Sequence, residues 1–220
     1  MRIAYLGPAG TFSEEAARMA ARLLDADVIP FASMPALVSA AETRLAECAI
    51  LPIENSLEGA VSSTTDLLIH ETELRIRAEL VLPVRHFLLA AQGAELSDIR
   101  AVTSHPQALG QCRRFLDRCL PGVEQIAALS TAAAAEAVSH RTDGSLAAIG
   151  TLRAAELYGV HVLAQDIQDY RNNVTRFVVL AEQDSRPTGH DKTSLCFGVR
   201  ANVPGALYQV LAVLAKANIQ

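Results

Sequence analysis

"NNVTRF", residues 172–177, runs directly into "FVVLAE", residues 177–182. The second part reads as a strand buried in a core. The first crowds two amides, a hydroxyl and a guanidinium at its mouth. In an extended chain, Thr175 and Phe177 face one side and Arg176 the other. One reading is a surface strand end with a solvated arginine. The other is a strand that opens into a ligand cleft. The rest of the chain bears on the choice.

Outward from this stretch, short apolar runs alternate with amphipathic or alanine-rich segments. "RIAYLG", "DVIPF", "ECAILPIEN", "IRAVTS", "VEQIAAL", "SLAAIG" and "VHVLAQDI" read as strands. "LRIRAELVLPVRHFLLAA" reads as two strands interrupted at Pro83. "FSEEAARMAARLL" reads as a helix with Phe12, Ala16, Ala20 and Leu23 on one face. "SMPALVSAAETRL" is a helix capped by Ser33. "TTDLLIHE", "HPQALGQCRRFLDRCL", "STAAAAEAVSH" and "TLRAAELYG" complete the helices. This alternation predicts an α/β fold of mostly parallel sheets covered by helices. "EQDSRPTGHDK", 182–192, is polar, carries Pro187 and Gly189, and reads as a linker. "TSLCFGVRANVPGALYQVLAVLAKANIQ" then reads as a strand, a turn and a helix, too little for a domain alone.

Composition narrows the function classes. The chain has 220 residues, half of them hydrophobic, and a formal charge of −5. No basic run is present and aromatics are few, so nucleic acid is not an expected partner. No apolar stretch approaches the roughly 18 residues of a membrane span. The N-terminus moves straight into a strand and a turn without a signal-peptide layout. Cys48, Cys112, Cys119 and Cys196 form no C-x-x-C pair and read as reduced thiols of a cytoplasmic protein. Cys112 and Cys119 share a helix face, which suits core packing better than a metal.

Four strand ends are followed by small and polar residues. In "GPAGTFSEE", Thr11 and Glu14 fit a capping box. The amides near Gly10 and Thr11 could hold an anion, or the segment is a plain helix cap. In "PIENSLEG", Glu54, Asn55 and Ser56 follow a strand, at the carboxyl end where open α/β sheets bind ligands. In "TSHPQALGQC", Ser104 and Gln107 match a second capping box, and Gln111 projects from the same face as Gln107. His105 is either a solvated or capping histidine or a group titrating near neutrality. "NNVTRF" is the fourth. Together they make a pattern suited to a small polar anion.

"GPAGTFSEEA", "PIENSLEGAV", "SHPQALGQC" and "NNVTRFVVL", in that order, resemble the prephenate dehydratase family over residues 1 to about 183. "TSLCFGVRANVPGALYQVLAVLAKANI" resembles the opening of the regulatory ACT domain of that family. The resemblance implies a catalytic domain over 1–183, built like type II periplasmic binding proteins. Lobe one would be 1–80 and 166–183, and lobe two 81–165. A linker over 184–191 and an incomplete α+β ACT domain over 192–220 would follow. It implies a carbon–oxygen lyase of phenylalanine biosynthesis that converts prephenate to phenylpyruvate, carbon dioxide and water, with no metal and no cofactor.

What the resemblance implies for residues centres on Thr175, as hydrogen-bond donor or acid to the departing oxygen. Glu54, Asn55, Ser104 and Gln111 join it as catalytic candidates, with Glu54 or His105 as alternative proton sources. Gly10, Thr11, Ser56, His105, Gln107, Asn173, Arg176 and Phe177 are substrate-binding candidates. Arg176 is a natural carboxylate fork, but alternation sets it opposite Thr175 unless a twist or bulge intervenes; otherwise it braces the loop. Pro204, Gly205, Ala206, Leu207 and Tyr208 match the segment that helps bind L-phenylalanine as an allosteric effector. The later ACT segments are not in this sequence, so weak or no phenylalanine inhibition is expected of the 220-residue chain, and the apolar face of Leu207, Val210, Leu211 and Leu214 needs a partner. The family also implies a homo-oligomer. With no chorismate mutase segment ahead of residue 1, a fused activity is not expected. Arogenate dehydratase, and a non-catalytic two-lobed anion-binding protein, are the competing readings.

Overall fold

The computed structural model describes residues 1–199 and 201–219. The chain divides into two units, Met1–Arg186 and Pro187–Gln220.

The first unit begins β1 (Arg2–Leu6), α1 (Phe12–Leu24), β2 (Asp27–Phe31), α2 (Met34–Glu42), β3 (Cys48–Asn55), β4 (Gly59–Ala60), α3 (Ser62–His70) and β5 (Arg75–Pro83). It continues β6 (Phe87–Ala90), a 3-10 turn (Leu96–Asp98), β7 (Ala101–Ser104), α4 (Pro106–Gln111), α5 (Arg113–Cys119) and β8 (Glu124–Ala127). It ends α6 (Thr131–Ser139), β9 (Leu146–Gly150), α7 (Leu152–Tyr158), β10 (His161–Ala164) and β11 (Val174–Ala181).

These strands form two sheets. One has the order β2-β1-β3-β11-β5 with β4 beside β3, and the other β10-β6-β9-β7-β8. β2-β1-β3 and β9-β7-β8 pair in parallel, whereas β11 and β5 in one sheet and β6 and β10 in the other run antiparallel. Each sheet is covered on both faces, which explains the near-continuous apolar runs of β1, β3 and β11. Phe177 and Val179 pack with Ile3, Tyr5 and Ile50 under α1, while Val178 and Leu180 pack with Ala4, Leu51 and Leu37 on the other face. In the second sheet Leu88, Val102 and Ile149 meet Cys112 and Leu116, and Phe87 and Leu89 meet Ala134, Ala135 and Ala154. Among the described residues, no helix is long and apolar enough to cross a membrane.

The chain passes between the sheets twice, over Val84–His86 and over residues 165–173, and the two passages are bound to each other. Val84 N–H donates to Asn173 O and Ile167 N–H to His86 O, at 2.9 and 3.0 Å. His86 N–H donates to the Gln168 side chain, and Arg85 makes a two-pronged ion pair with Asp166 at 2.6 and 2.7 Å.

Three local expectations change. Leu23 is 76% exposed; α1 buries Ala16, Ala17, Ala20 and Ala21, whose small side chains let the helix lie close on the sheet. The helix expected through "HPQALGQCRRFLDRCL" is two helices. Asp169 N–H donates to Gln111 O at 2.7 Å and the Asp169 carboxylate accepts from Arg114 N, so the returning chain takes hydrogen-bonding groups at the junction. Cys112 therefore sits at a break between α4 and α5 rather than sharing one helix face with Cys119. The strand expected at the start of "TSLCFGVRANVPGALYQVLAVLAKANIQ" is not formed among the described residues of the second unit; position 200 of that stretch lies outside the described residues. That unit has one helix among its described residues, α8 (Ala206–Lys216), entered through Gly205 in the left-handed region. Leu207 and Leu211 are exposed on it, and Val210 and Leu214 half-buried.

The two sheets of the first unit also meet at the start of α1. Thr151 Oγ1 donates to Gly10 O at 2.9 Å, and a Cβ on Gly10 would lie 3.2 Å from Ala154 and 3.3 Å from Ala132. Gly10 also has φ +85, so a side chain there meets both strain and a crowded partner. Glu14, 1% exposed, accepts from Gly10 N–H and pairs with Arg18 at 2.6 Å and with Arg153 of α7 at 3.4 Å. Burial opposes its ionisation, but the Gly10 amide and the two guanidiniums outweigh that and hold the carboxyl below its ordinary 4.5. A depressed carboxyl stabilises the fold above its unfolded value and stops doing so as pH falls through its folded value. Glu14→Gln is expected to cost about 1–3 kcal/mol at neutral pH. It should also flatten the loss of stability on acidification below about 4.5, read from urea midpoints across pH. A variant with the parent's acid slope would contradict this.

Candidate functional site

The carboxyl ends of β1, β3, β7 and β9 and the amino end of antiparallel β11 gather the polar stretches. The register pairs Thr175 with Asn55 and Arg176 with Glu54. A shift follows, setting Phe177 opposite Pro52. Side chains on paired residues share a face, so this register sorts the candidates into two groups.

On one face Asn55 is buried and central. Its Nδ2 donates to Thr175 Oγ1 at 3.0 Å, to Asn173 Oδ1 at 2.9 Å and to Val174 O at 3.3 Å. Its Oδ1 accepts from the backbone amides of Leu57 and Glu58 at 3.0 and 3.2 Å, which fixes the amide's direction. Ser56 Oγ donates to Asn173 Oδ1 and accepts from Val174 N–H. Asn173 Nδ2 donates to Gln111 Oε1 at 3.2 Å, and Gln111 Nε2 reaches Glu58 at 3.2 Å. Thr175 Oγ1 is thus an acceptor within this network, and its hydroxyl proton has no acceptor among the described residues.

On the other face Arg176 bonds Glu54 at 3.0 Å and Glu79 at 3.3 Å. The register shift begins only after Arg176, so it does not turn the guanidinium toward Thr175; from the internal strand β11, Arg176 bridges Glu54 of β3 and Glu79 of β5. Phe177 is 1% exposed, within the core under α1. Glu54, Arg176 and Phe177 are therefore not brought to the Asn55–Thr175 cluster.

The "TSHPQALGQC" candidates also divide. Ser104 is fully buried and its Oγ donates to Ile149 O at 2.6 Å, so it ties β7 to β9 instead of capping α4. His105 is the cap: its Nδ1 accepts from Gln107 N–H at 3.3 Å. The Gln107 side chain is exposed, without a hydrogen bond among the described residues. Only Gln111 of this stretch joins the cluster. Thr11 caps α1 by accepting from Glu14 N–H, and the Gly10 amide is taken by the Glu14 carboxylate. Pro204–Tyr208 of the second unit form the turn and first residues of α8. Among the described residues no cluster of three or more metal-ligating acids, histidines or cysteines is present.

Sequence reasoning missed His86. It lies in the apolar run "LPVRHFLLAA", where a single histidine gives no motif. In the fold it is 2% exposed, with Nε2 3.0 Å from Gln111 Oε1. Glu58 and Thr151 were also missed; both touch the opposite lobe, a property no local pattern records.

Residues 3–185 match the prephenate dehydratase family. A bifunctional chorismate mutase/prephenate dehydratase of Aquifex aeolicus is 38% identical over the whole chain, which spans 59% of that protein. An Arabidopsis thaliana arogenate dehydratase/prephenate dehydratase is 40% identical, again over the whole chain, which spans 55% of it. The chain thus covers less than two thirds of these curated relatives. Among solved structures, a prephenate dehydratase from Arthrobacter aurescens in complex with L-Phe superposes with TM-score 0.83 at 34% identity, over 98% of this chain and 72% of that one. GqqA, described as a novel type of quorum quenching acylase, superposes at 0.80 with 31% identity, over 99% and 78%. With a family match over residues 3–185 and 38–40% identity to curated members across this whole chain, the chain belongs to the prephenate dehydratase family.

Proposed function

We propose that this chain catalyses the decarboxylating dehydration of prephenate to phenylpyruvate, carbon dioxide and water, a step of phenylalanine biosynthesis. The observation that carries the reading is the Thr175 hydroxyl, which accepts from Asn55 and keeps its own proton available. Electrons of the ring–carboxylate bond flow into the ring as carbon dioxide leaves. The ring becomes aromatic and its hydroxyl departs, taking up one proton that solvent replaces. The driving force lies in the substrate, so the protein's task is orientation and stabilisation of the departing oxygen. Thr175 donates a hydrogen bond to that oxygen. Threonine is too weak an acid to be the net proton source, and charge stabilisation describes its role better.

Neutral donors suit the departing carboxylate. A strong ion pair there would stabilise the ground state and oppose loss of carbon dioxide. Asn173 and Gln111 supply such groups, with Ser56 holding Asn173, while the Asn55 amide is taken up in aiming Thr175 and Asn173. Arg176 and Glu54 pair on the opposite face of the sheet, together with Glu79. Phenylalanine binding by the Pro204–Tyr208 segment belongs to the same proposal, supported by the L-Phe complex of the Arthrobacter protein. The similarity to plant arogenate/prephenate dehydratases supports a second reading, in which arogenate is the substrate. The similarity to an acylase does not extend to a nucleophile with a base: no histidine or carboxylate is hydrogen-bonded to Thr175 among the described residues, and Ser104 is committed to Ile149 O.

Prephenate turnover followed by phenylpyruvate formation tests the reading. Thr175→Ala should lower kcat about 10²- to 10³-fold with KM little changed, and Thr175→Ser should keep most of the activity. An active parent with a near-normal Thr175→Ala variant would move the chemistry elsewhere. A folded parent that turns over arogenate but not prephenate would establish the second reading.

Glu54→Gln and Arg176→Ala should each change kcat by less than about tenfold, because exposed ion pairs contribute about 0–1 kcal/mol. A loss matching that of Thr175→Ala would place Glu54 or Arg176 in the chemistry.

A further inference from the structure

We propose that His86 is a positioning residue that sets the direction of the Gln111 amide, turning its NH2 group toward the substrate; this rests on the reaction proposed above. His86 lies on the first passage between the sheets. Its backbone is fixed on both sides, N–H to Gln168 and carbonyl to Ile167 of the second passage, each at 3.0 Å. The Phe12 ring packs edge-on against the imidazole, with centroids 5.4 Å apart. A buried ring held this firmly has little freedom to adapt to Gln111, so Gln111 adapts to it.

The protonation state follows from the surroundings. Burial pushes the imidazole toward the neutral form, against a smaller opposing effect of the Gln111 bond. Nδ1 is buried with no hydrogen-bond partner among the described residues. A neutral ring carries one N–H. Placed on Nδ1 it would be a buried donor without an acceptor. On Nε2 it meets Gln111 Oε1 at 3.0 Å. The proton therefore sits on Nε2.

Gln111 Oε1 then accepts from both His86 and Asn173. Its NH2 group is left to point away, where Glu58 now accepts from it at 3.2 Å. Reversing the amide would set NH2 against the donors of His86 and Asn173, and oxygen against the Glu58 carboxylate. The Asn55 end of the network is held independently by the amides of Leu57 and Glu58. His86 holds the opposite end. The group Gln111 offers outward is a neutral N–H donor, suited to an oxygen of an anionic substrate, with Glu58 as the partner it exchanges.

The experiment compares four proteins beside the parent and Thr175→Ala: His86→Gln, His86→Asn, His86→Leu and His86→Leu/Gln111→Ala, with Gln111→Ala as reference. Glutamine reaches about as far as Nε2 and carries an N–H; asparagine ends near Nδ1. The expected result is a loss of about 10- to 100-fold in kcat for His86→Leu and His86→Asn, with KM within about threefold. His86→Gln should stay within about fivefold of the parent, and the double variant should be no worse than Gln111→Ala alone. Melting curves accompany each protein; should His86→Leu fail to fold, the glutamine–asparagine pair decides. An active parent sensitive to Thr175→Ala, with His86→Gln no better than His86→Asn, overturns the His86 assignment and leaves the reaction standing. So does additivity of the His86 and Gln111 losses. An inactive parent sinks the reaction and this assignment together.

Discussion

The bond from Asn55 Nδ2 to Thr175 Oγ1 depends on a strand pairing made late in the chain. Asn55 ends a strand early in the sequence, and Thr175 is the second residue of one that follows all the strands of the second sheet in the sequence. Antiparallel registry sets the two residues opposite each other, so their side chains share a face without a loop having to find the geometry. The same registry sends Glu54 and Arg176 to the other face, where the guanidinium pairs with Glu54 and with Glu79. One choice of register thus sets the Asn55–Thr175 cluster of amides and hydroxyls on one face and the Glu54–Arg176–Glu79 ion pairs on the other. For a reaction in which a carboxylate must leave, that separation is chemically useful.

The two passages between sheets hold this register. Arg85 and Asp166, His86 and Ile167, and Val84 and Asn173 bind them side by side. Asp169 extends the effect to α4 by breaking the helix after Gln111. At the far side Gly10, Thr151, Glu14 and Arg153 join the sheets through a carboxylate that has two guanidiniums and an amide around it. Breaking such a buried set leaves polar groups unpaired, which is costlier than never having made it. In the proposed reaction the rigidity has a purpose, because a weak donor such as a threonine hydroxyl acts only if it is already aimed.

Much of the fold was legible because apolar runs and cap residues are local signals. Thr11 and Ser33 cap their helices by side-chain bonds, and Pro83 marks the end of β5. The break at Cys112 was not legible, since it depends on Asp169, far along the chain. The strand expected from residue 193, not formed among the described residues, marks the complementary limit: its sequence favours extension, but a strand needs a neighbour to hydrogen-bond. Asn55, Ser56, Gln111, Asn173 and Thr175 were found in the sequence through their motifs. Ser104, Glu54 and Phe177 belong to the same motifs yet lie in the core or on the opposite face of the sheet, since a motif does not record the direction of each side chain. His86 carried no pattern at all. It became visible only when burial and an unpartnered nitrogen were seen together.

The central claim is that Asn55 donates to Thr175 and so frees the threonine proton for the departing oxygen. Asn55→Asp preserves shape but presents an oxygen where Nδ2 stood, and that oxygen would take the threonine proton. Turnover of prephenate by Asn55→Asp, with folding checked by melting, should fall about 10²- to 10³-fold in kcat. Turnover close to the parent's would show that the direction of this hydrogen bond does not matter, and would contradict the account.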